Sequence, residues 1–201
     1  MNNTELLNSL EAIKKSYDMD RLDDLIIKVK QDIYYENINN KQAKTVKQRT
    51  KAAMKVLKNK YNKSRPALGY TDVQKINDNY YQVFTDSYLA IALVEPLELP
   101  NIKDTSYEYP KIDRMFANVS DNEIVIDIPN MLASLKAGML KNDNMNIYVH
   151  ESGLKLDADK LKIIIDILGA DDLKIYANGL KPVYFKNLKG DMALLCPIRS
   201  Y

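Results

Sequence analysis

At 201 residues, 46% apolar and 28% charged, the chain can bury one sizeable hydrophobic core or two small ones, and its composition excludes a disordered or fibrous protein. No apolar run reaches the roughly 18 residues of a membrane span, and Met1-Asn2-Asn3-Thr4-Glu5 lacks the basic-then-apolar pattern of a signal peptide, so a cytoplasmic protein is expected. The formal charge of +2 hides a segregation: residues 1–40 carry five basic against eight acidic side chains, residues 41–65 ten against none, and residues 66–201 fourteen against nineteen.

Residues 1–40 read as a helical hairpin arm. Leu6, Leu10, Ile13 and Tyr17 form one apolar stripe, and Leu22, Leu25, Ile26, Val29 and Ile33 form another after the break at Asp18-Met19-Asp20. The spacing then predicts a helix over 42–61. At about 100° per residue, Ala43, Val46, Ala53, Leu57 and Tyr61 fall on one face. Lys44, Lys47, Lys51, Lys55 and Lys58 form a narrow row beside it. A solvated helix face usually mixes Glu with Lys, and no acid occurs among the 35 residues from Asn37 to Thr71, so the row points to a polyanion. Its regular spacing suits phosphates rather than base edges.

Strands are expected at 80–85 and 88–94, joined by a tight turn at Asp86-Ser87, followed by a linker containing Pro96, Pro100 and Pro110. A strand and helix are expected within 123–140. A further helix is expected over 156–168, with Asp157 or Asp159 as N-cap, apolar residues at 161, 164, 165 and 168, and Gly169 as the stop. Alternation then marks strands around Leu173–Tyr176 and Val183–Lys186, a turn at Leu188-Lys189-Gly190-Asp191, and a strand at Met192–Leu195. Helix-then-meander thus occurs twice. The fold class expected is α+β, with two αβββ units at about 42–95 and 153–201, separated by a linker and strand-helix at 96–152. The units should share one sheet layer, with their helices on one face. Together 41–201 would form one domain behind the arm.

The single cysteine, Cys196, excludes an internal disulfide, and the single histidine, His150, excludes a His-based metal cluster, so no cofactor or metal is expected. Cys196 lies in an apolar run and reads as a packed thiol.

Several ordered segments resemble the bacterial DNA sliding clamp, the β subunit of the replicative DNA polymerase. Ser64-Arg65-Pro66-Ala67-Leu68 resembles the clamp's Thr-Arg-Pro-Val/Ile-Leu, and Phe84-Thr85-Asp86-Ser87-Tyr88-Leu89-Ala90 its Ala-Thr-Asp-Gly-His-Arg-Leu-Ala hairpin. Tyr109-Pro110-Lys111-Ile112-Asp113-Arg114-Met115 is similar to its Phe-Pro-Asp-Tyr-Arg-Arg-Val linker, and Ile126-Asp127-Ile128 to the start of the domain that follows. Gly179-Leu180-Lys181-Pro182-Val183-Tyr184 and Leu194-Leu195-Cys196-Pro197-Ile198-Arg199 are similar to the clamp's closing strand and its terminal Met-Pro-Met-Arg. The hairpin lacks the family's Arg between Tyr88 and Leu89, and the chain has room for about one of the three clamp domains, or one with an extra half. The resemblance therefore implies a reduced relative, such as one encoded by a phage or mobile element. It implies a replication accessory, a processivity factor, whose helices face duplex DNA in a sequence-independent way, assembled as a homo-oligomer and engaging a DNA polymerase or other clamp-binding proteins. It also implies a partner-peptide groove formed by Thr85, Asp86, Ser87, Tyr88 and Leu89 on one side and Cys196, Pro197, Ile198 and Arg199 on the other.

Two other classes are compatible with the residues. A metal-dependent nuclease would use carboxylates such as Asp157 with Asp159, or Asp171 with Asp172 and Lys174, although capping and loop positions explain them more simply. A clamp-fold interaction or regulatory protein without ring function would use the basic helix against an acidic protein. No phosphate-binding glycine loop, dinucleotide fingerprint or catalytic triad order is present, so a non-enzyme is expected.

Overall fold

The computed structural model describes residues 40–116, 122–170, 172–179 and 181–199, together with Leu6, Ser9 and Ile13; but for those three, the helical hairpin expected over 4–35 lies outside the described residues. The elements are α1 (Asn40–Leu57), β1 (Asp72–Ile76), β2 (Asn79–Thr85), β3 (Leu89–Leu93), the short α2 (Asp113–Phe116), β4 (Glu123–Ile124) and α3 (Ile128–Lys136). There follow β5 (Lys141–Asn142), β6 (Met145–Val149), β7 (Lys155–Asp157), α4 (Ala158–Leu168), β8 (Lys174–Tyr176), β9 (Val183–Lys186) and β10 (Met192–Leu195). The protein is α+β. An antiparallel seven-stranded sheet runs β1-β2-β3-β10-β9-β8-β4, and a small sheet runs β5-β6-β7.

Local contacts set both ends of α4 and the end of α1. The Asp157 side chain accepts from the backbone N–H groups of Asp159 and Lys160, so it caps α4, and Gly169, at φ +90°, ends it with its N–H on Ile165 O. The helix expected over 42–61 stops at Leu57. There the Asn62 side chain donates 3.0 Å hydrogen bonds to the Val56 and Leu57 carbonyls and to Leu68 O, so the chain leaves α1 in two 3-10 turns, Lys60–Ser64 and Pro66–Gly69.

The sheet holds two consecutive meanders, β1-β2-β3 and β8-β9-β10, joined where β3 pairs with β10 at Ile91↔Ala193. Strand alternation sorts their side chains onto two faces. Phe84, Leu89, Ile91, Leu93, Val183, Phe185, Ala193 and Leu195 pack with Ala52, Ala53, Val56 and Leu57 of α1 and with Leu161, Ile164, Ile165 and Leu168 of α4. Helices α1 and α4 therefore lie together on one side. The opposite face, with Val83, Ala90, Ala92, Tyr184, Met192 and Leu194, is covered by the stretch expected to be a plain linker: Ile102, Tyr109, Ile112 and Phe116 pack onto it. Two glutamines fasten that stretch. Gln82 exchanges two hydrogen bonds with the backbone of Leu97 (2.7 and 2.9 Å), and Gln74 donates to Pro110 O and accepts from Ile112 N, both at 2.9 Å.

Two buried ion pairs tie the units reciprocally. Arg49 on α1 reaches the second unit's β9–β10 turn, where its Nη2 lies 2.9 Å from Asp191 Oδ2; the side chains are 6% and 1% exposed. Lys160 on α4 pairs with Asp86 in the first unit's β2–β3 turn, which is 2% exposed. Each carboxylate also orders backbone. Asp191 Oδ1 accepts from Val94 N (2.9 Å), and Asp86 Oδ1 accepts from Tyr88 N and Leu89 N (3.0 and 2.9 Å). Buried charges at such positions persist because each is paired and its remaining lone pairs are occupied.

Candidate nucleic-acid interface and partner cleft

The face of α1 toward the sheet is filled by Val46, Ala52, Ala53, Val56 and Leu57, which leaves Lys47, Lys51 and Lys55 exposed on its outer side, with Lys58 exposed just past its end. The Lys44 side chain lies outside the described ones. Successive lysines four residues apart climb roughly 6 Å along the axis. None of the four has a carboxylate partner among the described residues. On the neighbouring α4, Lys162 is held by Asp166 at 2.6 Å, and Gln48 of α1 donates to the same carboxylate at 3.3 Å. The positive character of the helix layer therefore comes mainly from α1.

The β2–β3 turn is held from within. Asp86 accepts from Asn59 Nδ2 at 2.7 Å and pairs with Lys160, whose ammonium also lies 5.8 Å from the centre of the Tyr88 ring. Thr85 Oγ1 donates to Leu89 O, and Leu89, 1% exposed, belongs to the core rather than to any surface. Cys196 N donates to Tyr88 O at 2.9 Å, so the structure brings the hairpin and the C-terminal segment together. Beyond Cys196 the chain diverges, with Ile198 N on Lys155 O at 2.8 Å.

Two clefts result in place of one groove. The first, of about 590 Å³, is lined by Thr85 and Ser87 of the hairpin, by Arg65 and Leu68, and by the stretch from Tyr109 to Ile112 with Met115. Arg65 Nη1 donates to Ser87 Oγ across it at 3.1 Å. Burial, and secondarily the Asp72 carboxylate, push the Tyr109 hydroxyl well above the ordinary tyrosine range, so it stays neutral. The second cleft, of about 650 Å³, is lined by Pro197, Ile198 and Arg199 with the segments 152–155 and 177–179. Sequence reasoning missed that Arg65, Leu68 and Tyr109 would join Thr85 and Ser87. The shared signal was that all five lie in segments carrying the clamp resemblance.

The remaining candidates have structural partners. Cys196 is half-buried; burial and the Asp86 carboxylate push its thiol up, against a smaller opposite effect of Arg199 and Lys160, which makes it a poor nucleophile. His150 lies between Ser152, whose N–H and Oγ are 3.2 and 2.8 Å from Nδ1, and Val125 O, 3.0 Å from Nε2. A carbonyl can only accept, so Nε2 carries the proton. Asp157 is a cap, pushed up by burial, and Asp159 accepts from Asn146 at 2.8 Å. Asp171 lies outside the described residues and Asp172 is exposed in a loop. Among the described residues no three of His, Cys, Asp and Glu gather to hold a metal ion, and no helix is long and apolar enough to cross a membrane. Comparison with protein-family models, with curated proteins and with solved structures returns no match.

Proposed function

We propose that this protein is a sliding-clamp-like accessory of DNA replication, a processivity protein that contacts duplex phosphates through the α1 lysine row and docks partner peptides beside the β2–β3 hairpin. The observation that carries the reading is the helix layer. The sheet takes up the apolar faces of α1 and α4, so the lysines project together from a helical surface rather than scattering over the molecule. Lysines whose backbone positions rise roughly 6 Å per step along the helix can follow a phosphate backbone without reading bases, which permits sliding. Further support comes from the first cleft, because three segments that resemble the clamp, at 64–68, 84–90 and 109–115, all contribute to its wall. Leu68, Pro110 and Met115 offer apolar sockets there for a peptide's aliphatic or aromatic anchors. A few lysines per chain hold DNA weakly, so the reading includes a homo-oligomer whose rows act together.

The test is fluorescence anisotropy on random duplex DNA over a salt series, with native mass spectrometry for the oligomeric state. If about four lysines reach phosphates, log K falls against log salt with a slope of roughly −3 to −4, and each Lys→Ala among Lys47, Lys51, Lys55 and Lys58 lowers the slope by about one. Salt-independent binding, or strong preference for one base sequence, would remove the reading.

A further inference from the structure

The second cleft has a chemistry of its own, and it stands apart from the lysine row and from the hairpin cleft. Among the described residues its wall includes two cations, Lys155 and Arg199, and no carboxylate. Strand alternation explains the missing acid: Asn122 and Ile124 line the cleft, whereas Glu123 between them belongs to the opposite side of β4. Neither cation forms an ion pair with a described residue, so both charges are available to an incoming anion. Ile124, Leu154 and Ile198 supply an apolar floor, while Asn178 provides an amide able both to donate and to accept. Gly153 and Gly179, at φ +82° and +57°, leave the adjoining walls bare: a Cβ on either would meet nothing within 4 Å.

We infer that this cleft is a binding site for a nucleoside monophosphate, with the phosphate held by Lys155 and Arg199 and the base lying on the apolar floor against the Asn178 amide. The volume of about 650 Å³ falls in the range of small-ligand sites. A bare anion would use the cations and leave the floor empty. A neutral nucleoside would use the floor and leave the cations unpaired. Only a ligand carrying both parts uses the whole wall. The inference does not depend on the DNA-binding reading, since it uses none of the α1 lysines.

The experiment is isothermal titration of the full chain with AMP, adenosine, inorganic phosphate and an acidic tetrapeptide. AMP binds at least about tenfold more tightly than either fragment, and Lys155→Ala and Arg199→Ala each weaken AMP by roughly tenfold, the equivalent of one charge-assisted hydrogen bond. Lys155→Gln, which keeps the length of the side chain and removes its charge, behaves like Lys155→Ala, and unchanged thermal melting shows that the variants remain folded. AMP affinity untouched by the substitutions would place the anion elsewhere and overturn the inference. So would phosphate binding as tightly as AMP, an acidic tetrapeptide binding as tightly as AMP, or the absence of heat at 1 mM AMP.

Discussion

Replacing Asp191 by Asn keeps the shape of the β9–β10 turn and removes one charge from the interior. Asp191 Oδ2 lies 2.9 Å from Arg49 Nη2 and 3.3 Å from Asn187 Nδ2, and Oδ1 accepts the Val94 N–H at 2.9 Å. At an effective dielectric of about 20, Coulomb's law gives roughly 6 kcal/mol of attraction at that separation, opposed by the cost of taking both ions out of water. An asparagine retains an acceptor for Val94 N but presents a neutral amide to a guanidinium whose side chain is 6% exposed, with the Glu95 carboxylate 3.9 Å away and 39% exposed as partial relief. Breaking a buried pair from one side typically costs 3–5 kcal/mol, and the relief from Glu95 puts the expected loss near the lower end, about 3 kcal/mol. That is a large fraction of the stability of a domain this size. Urea denaturation followed by far-ultraviolet circular dichroism reads the loss as a shift in midpoint at constant slope. Arg49→Met alone and the double variant complete a mutant cycle with an expected coupling of at least about 1.5 kcal/mol. A loss under about 1 kcal/mol for Asp191→Asn, or strict additivity in the cycle, would refute the reasoning that this pair ties the two units together.

Asp157→Ala removes the cap of α4 and should cost about 1 kcal/mol, whereas Asp157→Asn keeps an acceptor for the Asp159 and Lys160 N–H groups and loses the buried charge. Burial raises the folded-state pKa of Asp157, so its contribution is present in acid and lost as pH rises through that value; Asp157→Asn should therefore melt at or above the wild-type temperature at pH 7, and a clearly lower melting point would contradict the assignment. Tyr184, with burial as the main cause and Tyr81 and Tyr176 as neighbours, is pushed up to about 12. Its contribution is complete below the ordinary tyrosine value of about 10 and is lost as pH climbs toward 12, so the melting temperature should fall less steeply above pH 10 in Tyr184→Phe than in wild type.

What could be read from the chain follows the range of the interactions involved. Helix α4 was legible down to its stop, with the cap narrowed to Asp157 or Asp159, because capping residues and Gly169 act on the backbone within a few residues of themselves. The strands β8 and β9 were legible because alternation is a local pattern, and β2, β3 and β10 because each is a short apolar run beside a turn signal. Strand β1 was not placed: of its five residues only Ile76 is buried, and the informative feature was the Asn77-Asp78 pair, whose φ values of +46° and +68° form the hairpin turn. The small sheet β5–β7 escaped for a similar reason, since β6 is exposed at both ends and shows little contrast. The 96–116 stretch looked like a linker because Ile102, Tyr109, Ile112 and Phe116 follow no fixed period; they match the sheet surface beneath them, which the local sequence does not encode. Of the lysine row expected on one helix, Lys47, Lys51 and Lys55 lie exposed on α1, whereas Lys58 falls just past its end. The hairpin cleft was only partly legible, because Arg65, Thr85 and Tyr109 meet through tertiary packing and through the Gln74 amide that holds Pro110 and Ile112.

The reciprocal ion pairs also bear on how the molecule would behave if severed. Cut between β3 and α4, the chain yields two fragments, each holding one helix cation and one turn carboxylate that were matched to the other fragment. Neither piece alone supplies the close partner that its buried helix cation or turn carboxylate has in the intact chain, and each would present half of the β3–β10 seam as an open strand. The fragments therefore have a reason to remain unfolded apart and to fold on meeting, with complementary charges fixing which helix goes over which turn. In the intact chain the same arrangement opposes a half-folded state, because completing either unit requires the other.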